Sequence, residues 1–167
     1  DLDPFWARLA ETGTPFLLHV GGAPLQLAKA WMNNGRPPTK DWLGGGENLR
    51  TKDIALLHEG PEQFLTMMVL DGVLERHPTL RGAAVELGAG LVPELLRRLD
   101  WVVKHWSRNA ENLQKLRRTP GQQITEQLAF TPFVFEEVGA FIDQSNPDLY
   151  LFSSDYPHIE GGRNPIG

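Results

Sequence analysis

Four short apolar runs, each closed by glycine, proline or a polar cluster, dominate the pattern of this chain. The first is Pro15-Phe16-Leu17-Leu18-His19-Val20, stopped by Gly21-Gly22. The second is Gly82-Ala83-Ala84-Val85-Glu86-Leu87, closed by Gly88-Ala89-Gly90. A weaker third, around Gln127-Leu128-Ala129-Phe130-Thr131, is limited by Pro132, which has no N–H for a ladder. The fourth, Leu149-Tyr150-Leu151-Phe152-Ser153, runs into Ser154-Asp155-Tyr156-Pro157-His158. The first run is apolar almost without alternation, as expected of a parallel strand covered on both faces.

Helical patterns lie before and between these strands. Asp3-Pro4 reads as an N-cap and first helical residue, and Phe5, Trp6 and Leu9 carry a short helix to Gly13. Ala23 to Met32 can form a helix. Asn33 to Asn48, with Pro37-Pro38 and Gly44-Gly45-Gly46, reads as a long loop of the functional or mobile kind. Helices are expected around Ile54 to His58 and from Glu62 to Arg76, ending at His77-Pro78. After Pro93, the apolar residues Leu95, Leu96, Leu99, Val102, Val103 and Trp106 repeat at helical spacing, with Arg97, Arg98 and Lys104 between them. A last helix is expected from about Glu136 to Gln144. Strands alternating with helices predict an α/β fold with a parallel sheet under helical cover, and no repeat suggests a solenoid.

The composition narrows the function classes. The 167 residues are 41% hydrophobic and 22% charged, an ordinary globular balance. The net charge of -5 disfavours nucleic acid and anionic membranes as partners. The chain has no cysteine, so any metal must be held by His, Asp, Glu or water. No apolar run approaches the roughly 20 residues that span a bilayer, no signal-peptide pattern opens the sequence, and a cytoplasmic location is expected. The absence of an initiator Met and the turn-like ending lead us to expect a piece of a longer chain.

Polar residues fall in a pattern: His19, Glu86, and Ser154 with Asp155 stand at or just past the C-terminal ends of three of the four strands. In a (β/α) barrel the active site lies at that face, and Gly21-Gly22 and Gly88 would let a ligand approach the backbone. Each residue also has a structural reading. His19 can be a satisfied strand-end histidine, Asp155 a turn former before Tyr156-Pro157, and Glu86 the buried partner of Arg81 or Arg97. Recurrence at equivalent positions of successive strands favours a site. His58 and His77 suit helix ends, His105 a surface or packing role, and Arg117-Arg118 a solvated helix end. Trp31 and Trp42 flank the long loop, as pocket walls or as anchors.

The segments Phe16-Leu17-Leu18-His19-Val20-Gly21-Gly22, Val85 through Asp100, and Leu151-Phe152-Ser153-Ser154-Asp155-Tyr156-Pro157-His158 resemble the amidohydrolase-related family, in the branch that includes aminocarboxymuconate-semialdehyde decarboxylase. The resemblance runs in order through nearly the whole chain, and Ser-Asp-Tyr-Pro-His is its most specific part. It implies the C-terminal portion, about strands five to eight, of a metal-dependent (β/α)8 barrel. A complete barrel typically needs about 250 residues. It also implies one divalent metal, usually zinc and sometimes manganese. His19 matches the metal ligand of the fifth strand. Asp155 matches the eighth-strand Asp, which binds metal and takes a proton from bound water. The family's first-strand ligand pair would precede Asp1.

Glu86 departs from the pattern, because the decarboxylases carry His at the matching sixth-strand position. A carboxylate there can serve as general base, proton donor or metal ligand, so hydrolysis stays beside decarboxylation. The expectation is a metal-dependent hydrolase or carboxy-lyase acting on a small carboxylate or carbonyl substrate. Its catalytic residues are Asp155, Glu86 and, as a substrate or supporting contact, His158; its metal ligands are His19 and Asp155. Zinc suits these ligands, as manganese or iron also would, and a homo-oligomer stays open. The rival is a non-catalytic barrel protein that binds a small molecule or partner.

Overall fold

The computed structural model describes residues 2–19, 29–32, 34–37 and 55–156. Strands β1 (Phe16–His19), β2 (Gly82–Val85) and β3 (Leu128–Phe130) form one parallel sheet in the order β1-β2-β3. The expected fourth strand is reduced to one parallel bridge, Phe130 to Tyr150, with the Leu151 N–H donating to the Phe130 carbonyl at 2.9 Å. The next rung would need the N–H of residue 132, and Pro132 has none.

The helices are α1 (Asp3–Thr12), α2 (Lys29–Met32), α3 (Glu59–Leu70), α4 (Val73–Arg76), α5 (Val92–Trp106), α6 (Glu111–Gln114), α7 (Pro120–Gln127) and α8 (Val138–Gln144). The helix expected over 62–76 is broken where Gly72 adopts φ 73°, a left-handed turn that separates α3 from α4. Residues Leu56 to His58 form a turn, and most of the Ala23–Met32 and Asn33–Asn48 segments lies outside the described residues. Helix α5 buries Val92, Leu95 and Leu99 on one face, while Trp106, expected in that stripe, is half exposed at its end. Leu65, Val69, Leu74, Leu80, Ile124, Phe130 and Leu149 complete the core between helices and sheet.

Small residues in β2 set the sheet's register. Gly82 pairs with Phe16, and a Cβ on Gly82 would fall 2.3 Å from the Phe16 ring. That ring stacks edge-on with Trp6 of α1 at 5.4 Å, and Trp6 in turn lies 6.2 Å from Phe64 of α3. The burial of β1 alternates. Phe16 and Leu18 face the core, while Leu17 and His19 are exposed, so among the described residues β1 is covered on one face and not on both as expected.

Polar ties hold the N-terminal ends of the strands. Leu2, with no side-chain cap bond, holds the cap position of α1, and the first helical residue is Asp3. Its carboxylate instead accepts from Arg76 Nε at 3.0 Å and Nη2 at 2.8 Å, and lies 3.1 Å from His77 Nε2. His77 holds the C-cap of α4, the helix-end place expected for it, and adds this contact. Arg118, expected as a solvated helix end, is an anchor. It donates to the Leu74 carbonyl at 2.8 Å, to Gln127 Oε1 at 3.0 Å and to Glu126 at 2.8 Å. Gln127, fully buried, donates to the His77 and Leu80 carbonyls at 2.9 and 3.1 Å. Helix α7 starts with a capping box of Thr119 and Gln122, and Asp100 of α5 accepts the Gly121 N–H at 2.7 Å.

Two outcomes follow from these contacts. Gly82→Ala forces the Phe16 ring off its seat and is expected to cost about 1–3 kcal/mol of unfolding free energy, the usual range for overpacking, read from urea denaturation midpoints. The Arg76 hydrogen bonds, and then that of His77, hold the Asp3 carboxyl below its ordinary value. A carboxyl lowered in the folded state adds stability above its unfolded pKa and loses it as pH falls through the folded one. Acidification from pH 7 to pH 3 should therefore lower the melting temperature of wild type more than that of Asp3→Asn. Equal shifts would show that the tie carries no pH dependence.

Candidate active site

Parallel pairing puts the C-terminal ends of all the strands on one side, and the expected polar residues arrive there. His19 ends β1 in register with Val85, so the next residue, Glu86, comes alongside it. His19 Nε2 lies 2.6 Å from Glu86 Oε2; the imidazole is 61% exposed and the carboxylate side chain only 10%. Neither arginine expected as a structural partner takes that role. Arg81 donates to the Pro78 and Leu80 carbonyls, and Arg97 to Glu94 and Gln144.

Glu86 holds φ 60° and Asp155 φ 52°, two of the three non-glycine residues in the left-handed region among the described residues. For a residue with a Cβ that conformation costs roughly 1–2 kcal/mol, and such strain gathers at functional sites where surrounding structure holds it. Thr131, just past β3, supplies part of the hold, since its hydroxyl accepts the Glu86 N–H at 3.1 Å. Thr131 itself stays in line through its own N–H, donated to the Ala84 carbonyl at 3.2 Å.

Glu86 and Asp155 also share a cavity. A space of about 10 Å³ is lined by Glu86, Thr131, Pro132, Phe133, Ser153 and Asp155, together with Val134. That is close to the volume needed to hold one water-sized sphere, roughly 10–15 Å³. Two carboxylates line this space, and one of them, Glu86, also meets His19 outside it; His and carboxylate are donor types that suit a divalent ion such as zinc, manganese or iron. Among the described residues no three His, Asp or Glu side chains converge closely enough to form a complete metal site.

Of the other expected residues, those that are described lie apart from this space. His158 and Trp42 fall outside the described residues. Trp31 is exposed. His77 sits before β2, at the opposite end of the strands, and His105 packs against the exposed Trp101 and Trp106 on the outer helix α5. Tyr150 lies tilted against the Phe141 ring and shares a 2.7 Å hydrogen bond with Ser145; burial pushes its phenol above the ordinary value, so it stays protonated at neutral pH. Two residues that sequence reasoning passed over are part of this end of the sheet. The local pattern marks Thr131 only as the end of a weak strand and Glu136 only as the start of a helix. The sequence signal for Thr131 is its position immediately after a strand, whereas Glu136, further along the loop after β3, carries none.

The structure resembles an amidohydrolase from Mycobacterium avium subsp. paratuberculosis K-10 with a TM-score of 0.74 at 27% identity, over 98% of this chain and 38% of that one. It resembles 5-carboxyvanillate decarboxylase from Sphingomonas paucimobilis with a TM-score of 0.61 at 21% identity, over 92% of this chain and 42% of that one. For 2,6-dihydroxybenzoate decarboxylase from Rhizobium the TM-score is 0.58 at 24% identity, over 93% of this chain and 44% of that one. The chain thus spans about two fifths of the length of these structures, and the two decarboxylases, both under 25% identical, speak for the fold alone. No curated protein matches the sequence. Among the described residues no helix is long and apolar enough to cross a membrane. The family model described as amidohydrolase matches residues 1–165, and the chain therefore belongs to that family.

Proposed function

We propose that these residues form about the fifth to eighth strand units of a (β/α)8 barrel whose strand ends carry a metal-dependent hydrolase or decarboxylase site for a small carboxylate or carbonyl substrate. The observation that carries this reading is the meeting of His19 with Glu86 at 2.6 Å, beside a small cavity that Glu86 shares with Asp155. The family assignment supports it, and the fold is one that the two decarboxylases share. Exposed Leu17, Leu151 and Phe152 on strand or strand-end positions support a barrel, because further strands would cover them.

In this reading His19 and Asp155 are ligands of one divalent ion, zinc being well suited, with the remaining ligands supplied from outside this chain. The ion, when bound, supplies Lewis-acid polarisation and a nucleophilic water at neutral pH. Glu86 has two tasks compatible with its place. Its carboxylate fixes the ring of His19, as the carboxylate partners of ligating histidines commonly do. From the cavity wall it can also hold or deliver a proton at the reacting atom through Oε1 or Oε2. For hydrolysis Asp155 receives the proton of the attacking water. For decarboxylation Glu86 supplies a proton to the carbon that loses CO₂. His158 is proposed as a substrate or supporting contact.

Metal analysis of the full-length protein tests the reading. Wild type should hold one divalent ion per chain and His19→Ala should lose it; metal-free wild type would favour a non-catalytic binding protein instead. Glu86→Gln keeps the shape of the side chain. Once a screen of small carboxylates for released CO₂, and of amides and esters for released acid, has found a substrate, it should lower kcat by about 10²–10⁴-fold, the usual contribution of a proton-transferring side chain. An unchanged kcat would remove Glu86 from the chemistry.

A further inference from the structure

We propose that Glu136 is a positioning residue that laces the segment after β2 to the segment after β3 and thereby keeps Glu86 in place against His19. The inference rests on the reading of Glu86 given above. Glu136 Oε2 accepts the Ala89 N–H at 2.9 Å and the Phe133 N–H at 2.8 Å, and Oε1 accepts the Gly90 N–H at 2.8 Å, with a longer contact of 3.2 Å to Ala89. One half-buried carboxylate thus gathers three main-chain donors from two different strand ends.

The chain is shaped around that carboxylate. A Cβ added to Gly88 or to Gly90 would stand 3.0 Å from Glu136 Oε1, and Gly88 further holds φ 74° with the Phe133 ring at 3.1 Å. Both positions therefore leave little room for a side chain, which accounts for the Gly88-Ala89-Gly90 run directly after Glu86. The same bonds place a negative charge just ahead of Val92, where α5 begins and the helix dipole favours an anion. Leu91 at the N-cap offers no side-chain cap bond, and the negative charge ahead of the helix comes from a residue 46 or 47 positions later, in the segment that also carries the cavity-lining Thr131 and Phe133.

The consequence falls on Glu86. Its left-handed backbone persists only while neighbouring structure over-determines it, and two cross-ties do so. Thr131 takes the Glu86 N–H on one side, and Glu136 fixes Ala89 and Gly90 three and four residues further on. Without the second tie, the short segment from Leu87 to Gly90 is free to relax the turn, and the carboxylate loses its seat beside the imidazole.

Hydrogen exchange in the full-length protein tests the lacing independently of any activity. Glu136→Gln, which keeps volume but presents an NH₂ to the N–H donors, should speed exchange in peptides covering residues 86–91 and 133 by at least about tenfold. Peptides from the remainder of the sheet should be unchanged, and Glu137→Gln, on the exposed neighbour, should leave all of them unchanged. Should Glu136→Gln not fold, Glu136→Asp, which keeps the charge on a shorter arm, is measured the same way. Unchanged exchange at 86–91, or equal acceleration throughout, would overturn the proposal. With a substrate in hand, the kcat loss of Glu136→Gln should vanish in a Glu86→Gln background, because a residue acting through another is not additive with it. Additive losses would overturn it as well. Failure of the metal reading shows elsewhere, as metal retained by His19→Ala, and leaves the exchange result standing.

Discussion

The Phe16 ring lies on Gly82, and the geometry of the candidate site descends from that contact. Because no Cβ stands at Gly82, β1 can seat its aromatic ring against β2, with Trp6 closing over it. This fixes Phe16 opposite Gly82 and so, three residues on, His19 opposite Val85. A slip of one residue would send His19 to the other face of the sheet. The 2.6 Å approach of His19 to Glu86 is thus set at the far end of the strand pair.

The two ends of the strands are built differently. At the N-terminal ends, polar groups are satisfied and unstrained: Asp3 meets Arg76 and His77, and Gln127 closes the His77 and Leu80 carbonyls. At the C-terminal ends, carboxylates sit in left-handed backbone, one of them pressed against an imidazole. In parallel folds with helical cover the second end is where ligand chemistry gathers and the first is where stability is secured. Residues tied at the first end absorb the conformational freedom that would otherwise blur the second. The lacing of Glu136 extends the same logic to the loops above the sheet.

Some of this was legible in the chain and some was not. The three best strands, the long amphipathic helix after Pro93 and the strand-end positions of His19, Glu86 and Asp155 follow from local patterning, since buried parallel strands must be apolar and a polar residue at their ends stands out. The fourth strand was overestimated, because its pattern is apolar but its partner ladder stops at Pro132. The N-cap assigned to Asp3 and the solvated end assigned to Arg118 failed for a common reason. Both side chains are long or free enough to reach partners distant in sequence, and tertiary contacts outbid local ones.

What the sequence alone determined is the alternation of strands and helices, the absence of thiol chemistry and the identity of the polar residues at the strand ends. These depend on residue type and spacing, which are local. The tertiary structure decided which of them meet: that Glu86 takes His19 and not Arg81 or Arg97, that it shares a cavity with Asp155, and that Glu136 holds the loop between. Each of those pairings joins residues about 45 or more positions apart, except the last strand-end contacts to Phe133, and each depends on register and backbone twist. Spacing in sequence carries no record of either.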